Sequence, residues 1–237
     1  MTRPVRAGEA TSLDLPVFEE RVSLRQQVAH ALRAAMVTGE MRPGVVYSAP
    51  ALATDFGVSA TPVREAMLDL AKEGLVEAVR NKGFRVTELS EQELDEITQI
   101  RALIEVPTIG EISRRCDGEL APQVEALRPV AREIEARAAK KDLIGYVEAD
   151  RRFHLGLLAV AGNAHLVALV GELRARSRLY GLQQLAEHGT LVHSSREHEQ
   201  LVDLLLTRQD QAAEALMRQH IGHVRGTWAG RDDAPEA

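Results

Sequence analysis

The run Phe56-Gly57-Val58-Ser59-Ala60-Thr61-Pro62-Val63-Arg64-Glu65-Ala66 leaves its part of the chain few ways to fold. Gly57 supplies a tight turn after a short apolar helix whose Leu52 and Ala53 face inward. Ser59 fits an N-cap, its hydroxyl oxygen accepting an orphan backbone N–H. Pro62 falls in the first turn, where a missing N–H costs little. The spacing of Val63, Ala66, Met67, Leu70 and Ala71 predicts an amphipathic helix with those residues on one face and Thr61 and Arg64 on another. Helix, glycine turn, helix, with a small polar residue and an arginine opening the second helix, is the geometry that brings N-terminal side chains to base edges in the major groove.

The flanking residues extend this reading. Glu73-Gly74-Leu75-Val76 stops the helix at a glycine, and Val76-Glu77-Ala78-Val79-Arg80 alternates like a strand. Asn81-Lys82-Gly83 is a turn, and Phe84-Arg85-Val86-Thr87 alternates again, which makes a basic hairpin, or wing. Arg80, Lys82 and Arg85 belong on or near that wing, close to phosphates or a minor groove. Upstream, a helix is predicted over Leu24 to Thr38 with Leu24, Val28, Ala31, Leu32 and Ala35 inward, followed by an Arg42-Pro43-Gly44 turn. The Pro-Gly turn, the Val-Ser-x-Thr-Pro-Val-Arg-Glu-Ala run, the Glu-Gly-Leu-Val stop and the Gly-Phe wing together resemble the GntR family of bacterial transcription regulators. That family usually carries arginine at position 60, where this chain has Ala60, and a glutamate in the 48–50 region, which here reads Ser48-Ala49-Pro50. Both departures remove polar or charged groups from the presumed DNA face. The resemblance therefore implies DNA contacts at Thr61, Arg64 and the wing around Gly83, with Arg80 and Lys82 beside it. The competing reading of the same motif is a winged helix used for protein contacts.

Net charge opposes DNA binding until it is divided along the chain. The 237 residues carry −6 overall, yet residues 21–90 hold nine Lys/Arg against seven Asp/Glu, while residues 91–237 hold eighteen against twenty-four. The first region is mildly basic and the second acidic, which places the nucleic-acid contact early in the chain. At +2, local placement of arginines matters more than bulk charge, and a dimer would double the phosphate contacts. The single cysteine, Cys116, excludes an internal disulfide and fits a reducing cytoplasm. No apolar run approaches the roughly 20 residues that cross a bilayer. Met1 to Glu20 lacks a signal-peptide core.

The sequence predicts a loosely ordered leader (1–20), a winged helix-turn-helix DNA-binding domain (21–89), an all-helical second domain (90–228), to which the family resemblance assigns effector binding and dimerisation, and a frayed tail (229–237). Ser90-Glu91-Gln92-Glu93 is a capping box that opens the second domain. Helices follow at about 91–115, 120–140, 142–161, 164–187, 193–207 and 210–228, with Pro107 expected to kink or split the first and Asp210 to cap the last. The fold class is mainly α: a winged helix-turn-helix plus an all-α antiparallel helical bundle.

A second constellation lies in that bundle. Asp150 and His154 are four apart and stack on one helix face beside the apolar Val147, Phe153, Leu157, Leu158 and Ala161. His198 and His220 adjoin apolar positions of two later helices. One acid and three histidines on three helices can ligate a divalent transition metal, zinc first, with nickel, iron or manganese as alternatives. A lone histidine on a half-apolar face is more often simply hydrogen-bonded in place, and the chain has eight histidines.

Residues 91–228 resemble the all-helical FCD effector domain of the FadR subfamily. Its metal-binding members carry Asp and His four apart, a later Glu-His before Leu, and a final His-Ile, positions at which this chain has Asp150, His154, His198 and His220. The Ala161-Gly162-Asn163 turn matches too, and Arg101 matches an arginine that points into the effector cavity of related domains. The resemblance thus implies effector binding at Arg101 and Asn163. An exposed Arg101–Glu105 helix pair is the plainer alternative. Arg151, Arg152, Arg174, Arg176 and Arg178 read as solvated charge, Glu197 and Glu199 as pointing away from His198, and His193 and His223 as surface or neighbouring groups.

The expected protein is a cytoplasmic repressor that binds a double-stranded DNA operator as a homodimer and answers to a small organic acid. The rivals are a metalloenzyme, with the same four residues activating water, and a regulator with a purely structural metal.

Overall fold

A computed structural model describes residues 23–177 and 190–223. The leader, the tail and the stretch 178–189, which includes Arg178 and the end of the helix expected to reach 187, lie outside the described residues.

The first unit is built from α1 (Leu24–Val37), β1 (Val46–Tyr47), α2 (Ala49–Phe56), α3 (Ala60–Lys72), β2 (Val76–Val79) and β3 (Gly83–Val86). Ser23 and Gln26 close a capping box at the start of α1. The buried face of α1 is Val28, Ala29, Leu32, Met36 and Val37, one step round from the predicted one, so Leu24 is left 46% exposed. Gly57 ends α2 in the left-handed region, at φ 65°, as the tight turn requires. The α3 face forms as its spacing predicts: Val63, Ala66, Met67 and Leu70 are fully buried. Ser59 departs from expectation, since it occupies the N-cap position without a side-chain capping bond. Ser48 caps α2 instead, accepting from the Ala51 N–H at 3.3 Å. The sheet order is β1-β3-β2, all antiparallel, with Glu77 opposite Arg85.

The second unit contains α4 (Glu91–Arg114), α5 (Leu120–Glu125), α6 (Arg128–Ala139), α7 (Leu143–Ala159), α8 (Ala164–Ser177), α9 (Thr190–Ser195), α10 (Glu197–Leu206) and α11 (Asp210–Gly222). The Ser90–Glu93 capping box is present. Pro107 does not split the expected element: α4 runs unbroken through it. The residue and Leu103, whose carbonyl loses its partner, are both exposed, which makes the missing bond tolerable. The predicted 120–140 helix breaks at Ala126-Leu127, with Pro129 in the first turn of its second half. The 193–207 helix breaks at Arg196. Gln209, not Asp210, is the N-cap of α11, and the Asp210 carboxylate accepts from Arg114 instead.

The two units meet along α8 and α1. Val37 of α1 belongs to the core of the helical unit, and Ala175 of α8 packs against the core of the winged unit. The stem of Arg176 lies against Gly74, just beyond the C-terminus of α3. His30 and Glu148 pair across the seam at 3.1 Å. A cleft of about 670 Å³ opens there between Leu75, Val147, Leu155 and Gly171, with Arg33 and Arg151 at its walls.

Candidate functional site

On the winged unit, Thr61 and Arg64 are exposed on α3, and Arg80 and Lys82 are exposed on the wing. Arg85 spends its guanidinium on Glu77, 2.7 Å away across the strand pair. The hairpin turns through Asn81 at φ 58° and Gly83 at φ 134°. A Cβ on Gly83 would stand 2.3 Å from the Tyr47 carbonyl oxygen, so this glycine is required by the close packing of β3 on β1. Its place in the expected DNA-contact set is thus that of a shape determinant.

In the helical unit, α7, α10 and α11 bring Asp150, His154, His198 and His220 together, with one ligand-capable atom from each within 4.8 Å of the others. Each residue lies next to its helix's buried stripe: Asp150 and His154 beside Tyr146, Phe153 and Leu157, and His198 beside Leu201 and Val202. Phe153 walls the site, edge-on to His154 and His198 with ring centroids 5.3 and 5.0 Å away. His154 Nε2 is 3.1 Å from both His198 Nε2 and His220 Nε2, and Asp150 Oδ1 is 3.2 Å from His198 Nε2. The far nitrogens have acceptors: His198 Nδ1 donates to the Ser195 carbonyl at 2.8 Å, and His220 Nδ1 donates to Glu197 Oε2 at 2.8 Å. As neutral rings, His198 and His220 therefore turn bare Nε2 lone pairs toward each other, toward His154 and toward a carboxylate. A divalent cation suits that donor set: three imidazoles and a carboxylate are zinc-type ligands. Protons suit it poorly. Burial, reinforced by the nearby Arg174, holds His154 well below its usual 6.5, and burial lowers His220 to about 4.

Charged neighbours complete the site. Arg101 and Glu105 are paired, Nε to Oε1 at 2.7 Å, as the plainer reading of that spacing has it; both are fully buried, so the expected exposed pair is instead part of the core. Arg174, expected to be solvated, is 2% exposed and bridges Glu105 Oε2 at 3.2 Å and Asp150 Oδ2 at 2.9 Å. Burial pushes Glu105 up, but Arg101 and Arg174 together hold it below the usual carboxylate range. Glu197 also departs from expectation. It is 6% exposed and accepts from His220, His223 and Gln219. Burial alone would raise it, yet these bonds leave it well below the usual range. His223 thus stands next to the site through Glu197. Glu199 points to the surface, toward Arg128 and Arg132. Asn163 is not brought to the cluster: it is exposed, and its Oδ1 caps α8 by accepting from the Leu166 N–H at 3.0 Å.

The signals for Arg174 and Glu197 are present in the sequence. Val170, Leu173, Arg174 and Ser177 form an i, i+3, i+4, i+7 stripe, and Glu197 lies four residues before Leu201. Charge alone argued against placing them inside. Cys116 is buried, and that burial raises its thiol, which leaves it an inert core group.

A winged helix-turn-helix joined to an all-helical domain with a buried polar cluster defines a class: a two-domain, DNA-binding transcription regulator. Residues 24–86 match the model of bacterial regulatory proteins of the gntR family, and residues 96–223 match the FCD domain. The chain belongs to the GntR family, with an FCD domain as its second part. It is similar to the HTH-type transcriptional repressor GlaR of Escherichia coli (strain K12), at 28% identity over 191 residues, covering 78% of this chain and 87% of the relative. An HTH-type transcriptional regulator of Agrobacterium vitis is 33% identical over 134 residues, covering 56% of this chain and 78% of its own length. Among solved structures, E. coli McbR/YncC shares the fold, with a TM-score of 0.65 and 23% identity over 86% of this chain and 95% of that one. The chain is a DNA-binding transcription regulator and not an enzyme, which removes the metalloenzyme reading. No helix among the described residues is long and apolar enough to cross a membrane.

Proposed function

We propose that this regulator is a cytoplasmic homodimeric repressor whose operator affinity is set by a small carboxylate received at a metal in the helical domain. Asp150, His154, His198 and His220 hold a divalent transition metal, zinc in the first instance. The observation that carries this reading is the convergence of three imidazole Nε2 atoms and one carboxylate oxygen in a buried site, with His198 and His220 each turning the nitrogen opposite their Nδ1–H acceptor inward. When bound, the metal would supply a Lewis-acidic position for an anion.

Charge counting supports the ligand class. Arg101 and Arg174 balance Glu105 and Asp150, so with neutral imidazoles the ionised Glu197 leaves the buried cluster with one negative charge. A divalent ion turns that into one positive charge in a buried site, and a single carboxylate restores neutrality. Arg101 is the nearby carboxylate grip, although it already serves Glu105 and would have to share its donors. Thr61, Arg64, Arg80 and Lys82 face DNA, and Gly83 shapes the wing. The exposed Ile100, Leu103 and Pro107 share a face of α4 and favour a second copy as partner. Because Ala175 and Arg176 of α8 rest on the winged unit, a ligand that shifts α8 changes how that unit is held, provided it binds one arrangement better than the other.

The test uses the full chain at measured metal content. Wild type is expected to hold one zinc per chain, and the His198→Ala, His220→Ala pair to hold none. A panel of carboxylates is then scored by thermal shift and by release of an operator fragment. Metal retained in the double variant would refute the site. A panel in which no carboxylate binds would leave the metal structural, and saturable binding without any change in DNA affinity would refute the control of operator affinity.

A further inference from the structure

The three histidines of the cluster are not held alike. His198 has its far nitrogen fixed by a backbone carbonyl, which no substitution removes. His220 has its far nitrogen fixed by one side chain, that of Glu197. We infer that Glu197 is a positioning residue for the metal centre: it selects the His220 tautomer that leaves Nε2 bare and aims that lone pair at the other ligands. The inference rests on the metal reading above.

The geometry is specific. Glu197 Oε2 is 2.8 Å from His220 Nδ1, while Oε1 takes Gln219 Nε2 and His223 Nε2, both at 2.9 Å. An ionised carboxylate can only accept, so His220 Nδ1 must carry the hydrogen. The opposite nitrogen, 3.1 Å from His154 Nε2, is then free to ligate. Gln219 and His223 anchor the second oxygen, so the carboxylate is fixed by the same helix that carries the ring it orients. A buried carboxylate on the far nitrogen of a ligating imidazole also makes that imidazole a stronger donor, and loss of such a partner costs about 10–100-fold in metal affinity. Glu197 does not reach the ligating atoms itself, since both of its oxygens face away from the cluster to other donors.

The experiment measures zinc affinity of the full-length protein by chelator competition, the visible spectrum of the Co²⁺-loaded protein, and the ¹⁵N signature of His220 in metal-free protein. Glu197→Gln, which is nearly isosteric, is expected to lose about 10-fold in affinity, and Glu197→Ala up to about 100-fold. In both, the Co²⁺ spectrum changes and the metal-free His220 ring becomes a mixture of tautomers. Glu199→Ala, two residues along on the same helix but turned to the surface, is expected to match wild type. If Glu197→Ala does not fold, Glu197→Gln carries the test. A Gln variant within two-fold of wild type in affinity, with an unchanged His220 signature, would overturn the inference. A wild type that binds neither zinc nor Co²⁺ would overturn the metal reading itself. The ¹⁵N signature in metal-free protein keeps the two failures apart.

Discussion

Removing Arg174 tests how the buried charge cluster is held together. Arg174→Met keeps the stem and deletes the guanidinium that joins Glu105 at 3.2 Å to Asp150 at 2.9 Å. All three residues are at most 2% exposed, so water cannot replace the lost cation. Glu105 keeps Arg101 at 2.7 Å, whereas Asp150 loses the guanidinium at 2.9 Å that pairs with its Oδ2. Stripping one partner from a buried pair costs about 3–5 kcal/mol, because a charge remains uncompensated. At about 2–4 °C per kcal/mol for a domain of this size, the melting temperature of metal-free protein should fall by roughly 10 °C. The pH dependence has a definite sign. In wild type, Glu105 is held below its ordinary range, so its contribution is present above that range and lost on acidification. In the variant, the uncompensated carboxylates shift upward and take protons readily in the folded state. The deficit is therefore largest near neutral pH and shrinks as pH falls through the carboxylate range. Calorimetry and urea titration of both proteins across that range measure it. A variant melting within about 2 °C of wild type near neutral pH would show that Arg174 is solvated in solution, and that the bridge it makes between Glu105 and Asp150 does not exist as described.

Three further outcomes are expected. Arg64→Ala should abolish tight operator binding and flatten its salt dependence while leaving the melting curve unchanged, since the side chain is exposed; an unaltered binding isotherm would remove α3 from the groove. Gly83→Ala should destabilise the winged unit by about 1–3 kcal/mol, because φ 134° is strained for alanine and its Cβ meets the Tyr47 carbonyl; equal hydrogen-exchange protection of β3 in both proteins would contradict this. Metal-free wild type should lose stability as pH falls from about 6.5 toward about 4. Burial depresses His154 and His220 in the folded state, and the unfolded chain therefore binds protons first. A urea midpoint that stays flat over that window would mean the histidines are solvated.

Much of the fold was legible because it is set by local chemistry. The Gly57 turn, the α3 stripe, the Ser90 capping box and the basic hairpin each follow from backbone geometry or side-chain spacing within a few residues. The misjudged boundaries lie where local signals compete. Pro107 reads as a breaker until the exposure of its own face is known, and Ser59 reads as a cap although its hydroxyl makes no capping bond. The four-residue cluster was legible through the resemblance to FCD domains, since helical spacing beside apolar stripes does not by itself select three of eight histidines; the four do converge as the bundle closes.

The family came from the resemblance of its motifs; the sequence by itself determined the two-domain plan, the helix-turn-helix and the helix faces that carry Asp150, His154, His198 and His220. Those depend on periodicity and residue chemistry, which the chain carries locally. Tertiary structure alone decided the fate of the charges. Arg174, Arg101, Glu105 and Glu197 look like solvated groups one by one, and each is costly to bury alone. Arg101 and Glu105 pair along α4, but only when α4, α7, α8, α10 and α11 come together is that pair buried and do Arg174 and Glu197 find their partners. That pairing depends on distances between residues up to 69 positions apart, and no spacing rule along one helix can report it.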